Sequence, residues 1–316
     1  MSTSWVAGTV RATALARRRL GAAGARELAA SPGLSEALTS LARTPYGHDI
    51  RVTHTLAEAQ HAIGATLLWH LRVLSGWLPR GGAEAVRLLA GGFEVANADE
   101  HVAGLTGRAT GPIYQLGMLE TAWSRLRQTR SLSELQDLLA RSAWGDPGGA
   151  TPWAVQVGMR LGWSDRVATG VPEAAGWARA AAAVLVLQAT ALEGHALPGP
   201  LAVRATYLLG PDFVRATARA PLRLRGVASL LPSDVRWVLQ GIDAPEDIWR
   251  ASAGWWQRVE QDAFGLLGRA GFERAPVVGA AMLLAVDAWR VRAALEAAAR
   301  TPTGGPAVLE AFDAVA

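Results

Sequence analysis

Apolar residues recur along this chain at steps of three and four, the spacing of one face of an α-helix. The clearest stretch follows Thr55 and ends near Gly76. Thr55 and Glu58 have the spacing of a capping box, in which each side chain bonds the backbone of the other at a helix start. Ser131 and Glu134 repeat this spacing before a second apolar stretch. The pattern predicts amphipathic helices beginning at both boxes.

Signals for β-strands are nearly missing. No alternating run of Val, Ile, Thr or Tyr exceeds about four residues, and no Asn-Gly or Asp-Gly hairpin turn occurs. Breaks rich in glycine and proline separate the apolar stretches and have the length of turns, not of domain linkers. We therefore predict an all-α protein, with residues 301–316 as a C-terminal tail.

An aromatic residue followed by glycine occurs twice in similar surroundings, about 100 residues apart. The first copy is Tyr46-Gly47 in "LARTPYG", and the second is Trp144-Gly145 in "LLARSAWG". The local likeness indicates that a helical unit of this length is repeated.

A second pattern returns at similar intervals. "FEVANAD" at residues 93–99 carries Glu94 and Asn97, and "VDAWRVR" at residues 286–292 has Asp287 and Arg290 at the same places. A worn middle copy is "LQATALE" at residues 187–193. The simplest account is three pseudo-repeats of roughly 100 residues. We place them at residues 1–107, 108–199 and 200–300.

Two residue types are absent. The chain has no cysteine, which excludes disulfide frameworks, cysteine nucleophiles, thiolate zinc sites and iron–sulfur clusters. It also has no lysine, since all 31 basic residues are arginine. A Walker-type phosphate loop and a lysine Schiff base are therefore excluded.

The formal net charge is +4, and positive charge is densest near the start of the chain. Residues 11–26 contain five arginines, three of them consecutive at Arg17 to Arg19. Such a run could bind nucleic acid or an anionic membrane. It could equally complement the C-terminal end of a helix dipole, where cations are stabilising. We favour the second interpretation and predict no nucleic-acid partner.

Three catalytic or metal-binding arrangements are conceivable. Glu94, Asn97 and His101 share one helix face, but they offer a metal only one strong anionic ligand. The three-residue set His54, Glu58 and His61 conflicts with the capping role of Glu58. For a serine nucleophile, no Gly-x-Ser-x-Gly elbow is present. We predict no catalytic residue, metal or cofactor, and expect Glu94 and Asn97 to fix one helix against another.

The chain has 13 tryptophans, most of them at apolar positions of predicted helices, where core packing is the default. The longest apolar run, residues 180–192, is short of the roughly 20 residues that span a bilayer. No signal peptide fits the first residues, because arginines interrupt the apolar segment. We predict no direct membrane span.

The order of these patterns resembles a known family. "WVAGTVRATALARRRL", "LTSLARTPYG", "LLWHLRVLSGWLP" and "AVRLLAGGFEVANADEHVAGLTGR" follow one another as in the C/d-subunit family of V-type and A-type ATPases. This family comprises the C subunit of archaeal-type and bacterial enzymes and the d subunit of eukaryotic ones. "MLLAVDAWRVRAALEAAAR" is similar to the last motif helix of that family. The resemblance covers about residues 5–300.

The resemblance implies a non-catalytic central-stalk subunit. Three helical units would close into a funnel that couples the rotating shaft of the ATPase to the membrane proteolipid ring, in proton or ion transport. The expected partners are the shaft subunits and that ring, and the expected location is the cytoplasmic face of the membrane. Asp287 and Glu94 match the family's acidic position, whereas Gln188 and Arg290 depart from its pattern. A diverged helical scaffold of the same fold is the alternative.

Overall fold

In a computed structural model of the protein, residues 3–219 and 224–300 are described, and they form helices without a strand. The all-α prediction is confirmed for these residues, and the predicted tail at residues 301–316 lies outside them. The α-helices, in chain order, are α1 (Val6–Arg17), α2 (Gly21–Ala29), α3 (Leu34–Leu41), α4 (Leu56–Ser75), α5 (Arg80–Leu89), α6 (Gly91–Leu105), α7 (Trp123–Leu126), α8 (Leu132–Ala140), α9 (Pro152–Gly170), α10 (Ala175–Leu187), α11 (Gly199–Leu209), α12 (Pro211–Thr217), α13 (Ile248–Leu267) and α14 (Arg274–Arg300).

The chain divides into two compact units. Of the described residues, the first unit contains 3–86 and 256–300, and the second contains 87–219 and 224–255. After residue 255 the chain therefore returns to the unit in which it began. The three pseudo-repeats and the funnel stay predictions.

The core of the first unit is built around α14. This helix packs against α1, α2, α3 and α4. Its inward face is rich in alanine, and Val291 and Leu295 are fully buried among side chains of α2 and α3. Gly279 allows a close crossing with α13, since a Cβ there would lie 2.6 Å from the carbonyl oxygen of Ala263. Small residues let these helices approach closely enough for a tightly packed core.

The core of the second unit is formed by α9, α10 and α11, and α6 packs on α9. Leu161, Leu187 and Phe213 are fully buried in its apolar cluster. After α10 the chain continues as a π-helical segment, Gln188–Leu192. The worn middle copy of the motif, residues 187–193, therefore lies where the helix changes from α-helical to π-helical geometry.

Both predicted capping boxes start helices, but only the first is complete. Thr55 N donates to Glu58 Oε2 at 2.8 Å, Glu58 N donates to Thr55 Oγ1 at 3.3 Å, and α4 begins at the next residue. At α8, Glu134 N donates to Ser131 Oγ at 3.2 Å. The Glu134 carboxylate instead accepts from Arg130 N at 2.8 Å, because it reaches one residue further back. The second box is thus half formed.

One helical stretch of the described residues is long and apolar enough to cross a membrane. It is Pro172–Leu192, 21 residues with a mean hydropathy of 1.3, longer than the run noted in the sequence. Half of its apolar window is buried inside the protein. A core helix passes the same test of length and composition, so this stretch is weak support for a membrane span.

The tryptophans are less buried than their sequence positions predict. Those that are buried are Trp123, Trp144 and Trp177, and those that are most exposed are Trp69, Trp77 and Trp249. The remaining tryptophans are partly exposed. The indole is large and carries an N–H that needs a partner, which favours the edge of a core over its centre. Three tryptophans are thus buried as expected, and Trp153, Trp237 and Trp255 pack against the core of the second unit while staying partly exposed.

Candidate functional site

Glu94 of α6 joins three segments of the second unit. Its side chain is 1% exposed. Oε1 accepts hydrogen bonds from Trp144 Nε1 and from Ala122 N, both at 2.8 Å. Oε2 accepts from Thr121 N at 2.5 Å. Because Thr121 and Ala122 directly precede α7, the carboxylate satisfies backbone donors at a helix start.

Asp287 of α14 has the same role in the first unit, and its side chain is 2% exposed. Oδ2 accepts from the Tyr46 hydroxyl at 2.8 Å and from Leu20 N at 3.0 Å. Oδ1 accepts from Gly21 N at 2.6 Å. Leu20 and Gly21 open α2, so this carboxylate also meets two successive backbone donors at a helix start.

The two arrangements have one plan, which we call the carboxylate junction. A buried acid on the motif helix accepts from two successive backbone N–H groups and from the aromatic residue that precedes a glycine. Burial of a carboxylate is costly unless hydrogen bonds compensate it, and bonds to a charged acceptor are the stronger kind. Each junction holds its three segments at fixed spacing.

The residue three positions after each acid differs between the copies. Asn97 bonds one backbone residue twice: Nδ2 donates to Tyr114 O at 2.8 Å, and Tyr114 N donates to Oδ1 at 2.7 Å. Arg290 instead forms a two-pronged ion pair with Glu260 of α13, with Nη2 to Oε2 at 2.6 Å. The first copy therefore anchors a loop, and the last copy anchors a neighbouring helix.

The two motif glycines are needed for different physical reasons. A methyl group at Gly47 would overlap the carbonyl oxygen of Ala42, so this turn requires close backbone approach. Gly145 has φ +79°, a left-handed conformation that other residues rarely adopt. The sequence showed two equal Tyr/Trp-Gly pairs, but the structure separates their causes.

The adjacent glycines of α6 accommodate an aromatic ring. A Cβ at Gly91 would lie 2.9 Å from Trp163, and one at Gly92 would lie 2.7 Å from the same indole. Trp163 Nε1 donates to Leu88 O at 2.8 Å, which fixes the ring in place. Glycine is a poor helix former, but at these two positions it lets the Trp163 indole pack directly against the backbone of α6.

The metal-site hypotheses find no support in these contacts. Both Glu94 oxygens face N–H donors, and His101 Nε2 is bonded to Thr129 Oγ1 at 2.9 Å. Burial lowers the pKa of His101. Glu58 is engaged in the helix cap, and His54 precedes it. Within residues 3–219 and 224–300, no three His, Asp or Glu side chains gather as metal ligands would.

The sequence patterns gave the members of each junction separately and missed their pairing. The partners of Tyr46 and Trp144 lie far away in the chain, and nothing local points to them. Leu20 and Thr121, whose backbone N–H groups complete the junctions, carry no side-chain signal at all. The arrangement of both sites is chemically closed, since each carboxylate is buried and has three donors.

Tyr46 provides a test of the first-unit junction. Burial raises its pKa well above the ordinary value of 10.0, and the negative charge of Asp287 and the hydrogen bond to it act in the same direction. The folded state therefore holds the phenol proton more tightly than the unfolded state. The resulting stability is fully present below about pH 10 and is lost as the pH rises through the folded-state pKa.

We expect the free energy of unfolding of the wild type to fall between pH 9 and pH 11 more steeply than that of Tyr46→Phe. Urea unfolding at each pH measures this difference. The chain has three tyrosines and neither lysine nor cysteine, so few other groups titrate in this range. Equal slopes in the two proteins would show that Tyr46 is not held by the junction.

Comparison with models of known protein families finds no match to this chain, and comparison with curated proteins finds none either. What the protein does is therefore inferred from its own residues. The strongest of these are the two carboxylate junctions, because they recur in separate units with the same donors and the same burial.

Proposed function

We propose that this protein is a non-catalytic central-stalk subunit of a rotary V/A-type ATPase. It couples the rotating shaft to the membrane proteolipid ring, in proton or ion transport, and carries no cofactor of its own. It works at the cytoplasmic face of the membrane through these partners. The observation that carries the proposal is the repeated carboxylate junction, which lies on the motifs that resemble the family.

Each junction joins one predicted repeat to another. Trp144 belongs to the second repeat and bonds Glu94 of the first. Tyr46 belongs to the first repeat and bonds Asp287 of the last. In each case the aromatic residue of one predicted repeat bonds the acid on the motif helix of another. The recurrence of this pairing supports a repeated structural unit.

The worn copy departs from the plan of the carboxylate junctions. Its acid position holds Gln188, which carries no charge and lies where α10 turns into the π-helical segment. A neutral amide accepts weaker hydrogen bonds than a carboxylate does. The proposed subunit therefore has two carboxylate junctions, at Glu94 and at Asp287.

A coupling part must be stiff, because it transmits torque and performs no chemistry. Buried, charge-assisted hydrogen bonds at fixed positions provide stiffness, since each junction locks two helix starts or turns onto one helix. Neither junction is open to a substrate. The geometry thus favours a mechanical role over a catalytic one.

Affinity purification tests the proposal. The tagged chain is expressed in cells that encode it natively, and its complexes are isolated from mild-detergent extracts. We expect ATPase head subunits, shaft subunits and the proteolipid to co-purify with it, and neighbouring genes to encode them. The same purification from cells that carry the untagged chain is the control for nonspecific capture. Recovery of neither head subunits nor proteolipid would refute the proposal.

A diverged helical scaffold is the second candidate, and one observation favours it. Arg290 replaces the motif asparagine and is committed to an ion pair with Glu260. In this case the chain purifies as a stable monomer without ATPase subunits. Its interaction with a partner would be salt-sensitive and would depend on the arginines between Arg17 and Arg26.

A further inference from the structure

A small pocket opens in the first unit, beside the Asp287 junction. Its empty volume is about 380 Å³, including its open mouth. Three elements and one turn contribute to it: the C-terminal end of α1, the middle of α4, the middle of α14 and the Pro45–Tyr46 turn. The residues on which the inference depends are Arg18, Arg19, His70, Leu15, Leu67 and Leu284.

The pocket contains buried polar atoms without partners. Arg19 Nε and His70 Nδ1 are both buried and make no hydrogen bond. Arg19 Nη1 donates to Ala16 O at 2.6 Å and so satisfies a carbonyl group in the last turn of α1. This bond does not involve Nε, which remains without a partner. Arg18 also lines the pocket, but it is exposed, and it has no carboxylate partner among the described residues. Buried polar atoms are nearly always hydrogen-bonded, so Arg19 Nε and His70 Nδ1 call for an external partner.

The nearby negative charges are already engaged. Asp287 accepts three hydrogen bonds within its junction. Asp49 accepts from Thr66 Oγ1 at 2.8 Å and contacts His48 Nδ1 at 2.8 Å. Neither acid forms an ion pair with Arg18 or Arg19. Asp287 itself lines the pocket, so the two guanidinium charges of Arg18 and Arg19 against its one carboxylate leave the lining with a net charge of +1.

His70 contributes a polar group without a charge. Burial lowers its pKa to about 4, and the neighbouring His48, Arg18 and Arg11 act in the same direction, against Asp49. The ring is neutral at neutral pH. In the tautomer protonated at Nδ1, it offers one N–H donor to the pocket.

We infer that this pocket binds one small oxyanion, a carboxylate or a phosphate group, between Arg18, Arg19 and His70. Guanidinium groups suit both anions, since their N–H donors match the spacing of two oxygens. Leu15, Leu67 and Leu284 form apolar walls, and charge-assisted bonds are stronger beside apolar surface than in water. They also limit the ligand to a short substituent. All residues of the pocket lie within the first unit. Binding of an anion there requires no ATPase partner, so this inference does not depend on the proposed function.

Isothermal titration at low salt tests the inference, with inorganic phosphate and propionate as separate probes. We expect saturable binding of at least one probe. Arg18→Gln should weaken it about tenfold or more, since a hydrogen bond from a charged donor is lost. Arg17→Gln is the matched control: it removes the same charge from the neighbouring residue, which is exposed like Arg18 but does not line the pocket. Its affinity should stay within about twofold of the wild type.

His70→Phe is a second variant, which removes the Nδ1 group and fills space in the pocket. It should abolish binding while circular dichroism shows an unchanged helix content. The tighter of the two probes identifies the phosphate or the carboxylate as the preferred group. Equal weakening by Arg17→Gln and Arg18→Gln would mean diffuse attraction to an arginine-rich surface and would overturn the inference. Absence of saturable binding by both probes at millimolar concentration would overturn it too.

Discussion

Glu94→Ala is expected to lower the free energy of unfolding by about 3–5 kcal/mol, the largest effect of any single change considered for this protein. The substitution leaves Thr121 N, Ala122 N and Trp144 Nε1 buried without their acceptor. Each unsatisfied buried donor costs roughly 1–3 kcal/mol, and partial relaxation keeps the total below the sum. Urea unfolding followed by tryptophan fluorescence measures the loss.

Glu100→Ala is the matched control, since it makes the same change on the same helix. Glu100 is partly exposed and accepts one hydrogen bond, from Gly111 N at 2.6 Å. We expect a cost below about 1 kcal/mol. Hydrogen exchange locates the effect: amides at the start of α7 should exchange faster in Glu94→Ala than in Glu100→Ala. A similar cost for both variants would mean that the junction does not stabilise the second unit.

The helices were predictable because they depend on local signals. The periodic apolar stretch after Thr55 and its capping box gave both ends of α4 correctly. The half-formed box at Ser131 shows the limit of such signals: the spacing fixes which residues are near the helix start, but the exact acceptor depends on side-chain reach. Local patterns therefore gave element type well and capping detail less well.

The junctions could be predicted only in part. Repetition pointed to Tyr46, Trp144, Glu94 and Asp287, because a shared constraint leaves similar residues at similar spacing. Which aromatic residue meets which acid could not be read from the sequence, since pairing across more than 200 residues depends on how the helices pack. The backbone donors were beyond prediction, because every residue except proline has the same N–H.

The burial of tryptophan side chains is hard to predict from their positions in the sequence. Their apolar positions predicted burial, yet Trp77 is 52% exposed and carries the Arg11 guanidinium 5.4 Å above its ring. A cation over an indole face is favourable at an exposed site, so the ring need not enter the core. Periodicity identifies the apolar face of a helix, but it does not tell whether a large ring at its margin is covered.

Gly47→Ala is expected to destabilise the first unit by about 1–3 kcal/mol. The added methyl overlaps the Ala42 carbonyl oxygen, which belongs to the backbone and cannot turn away as a flexible side chain would. The turn must therefore shift, and Tyr46 shifts with it. Because the Tyr46 hydroxyl is held 2.8 Å from Asp287 Oδ2, even a small movement weakens that bond.

Gly265→Ala is the control with the opposite sign. Gly265 lies inside α13, and a Cβ there meets no atom within 4 Å. Alanine is the better helix former, so this change should stabilise the unit by up to about 1 kcal/mol. The two variants should also differ in alkaline titration: loosening of the junction in Gly47→Ala moves the pKa of Tyr46 down toward its ordinary value, and Gly265→Ala leaves it raised. If Gly47→Ala kept both stability and the raised pKa, the close approach at this turn would not be what positions Tyr46 on the buried acid.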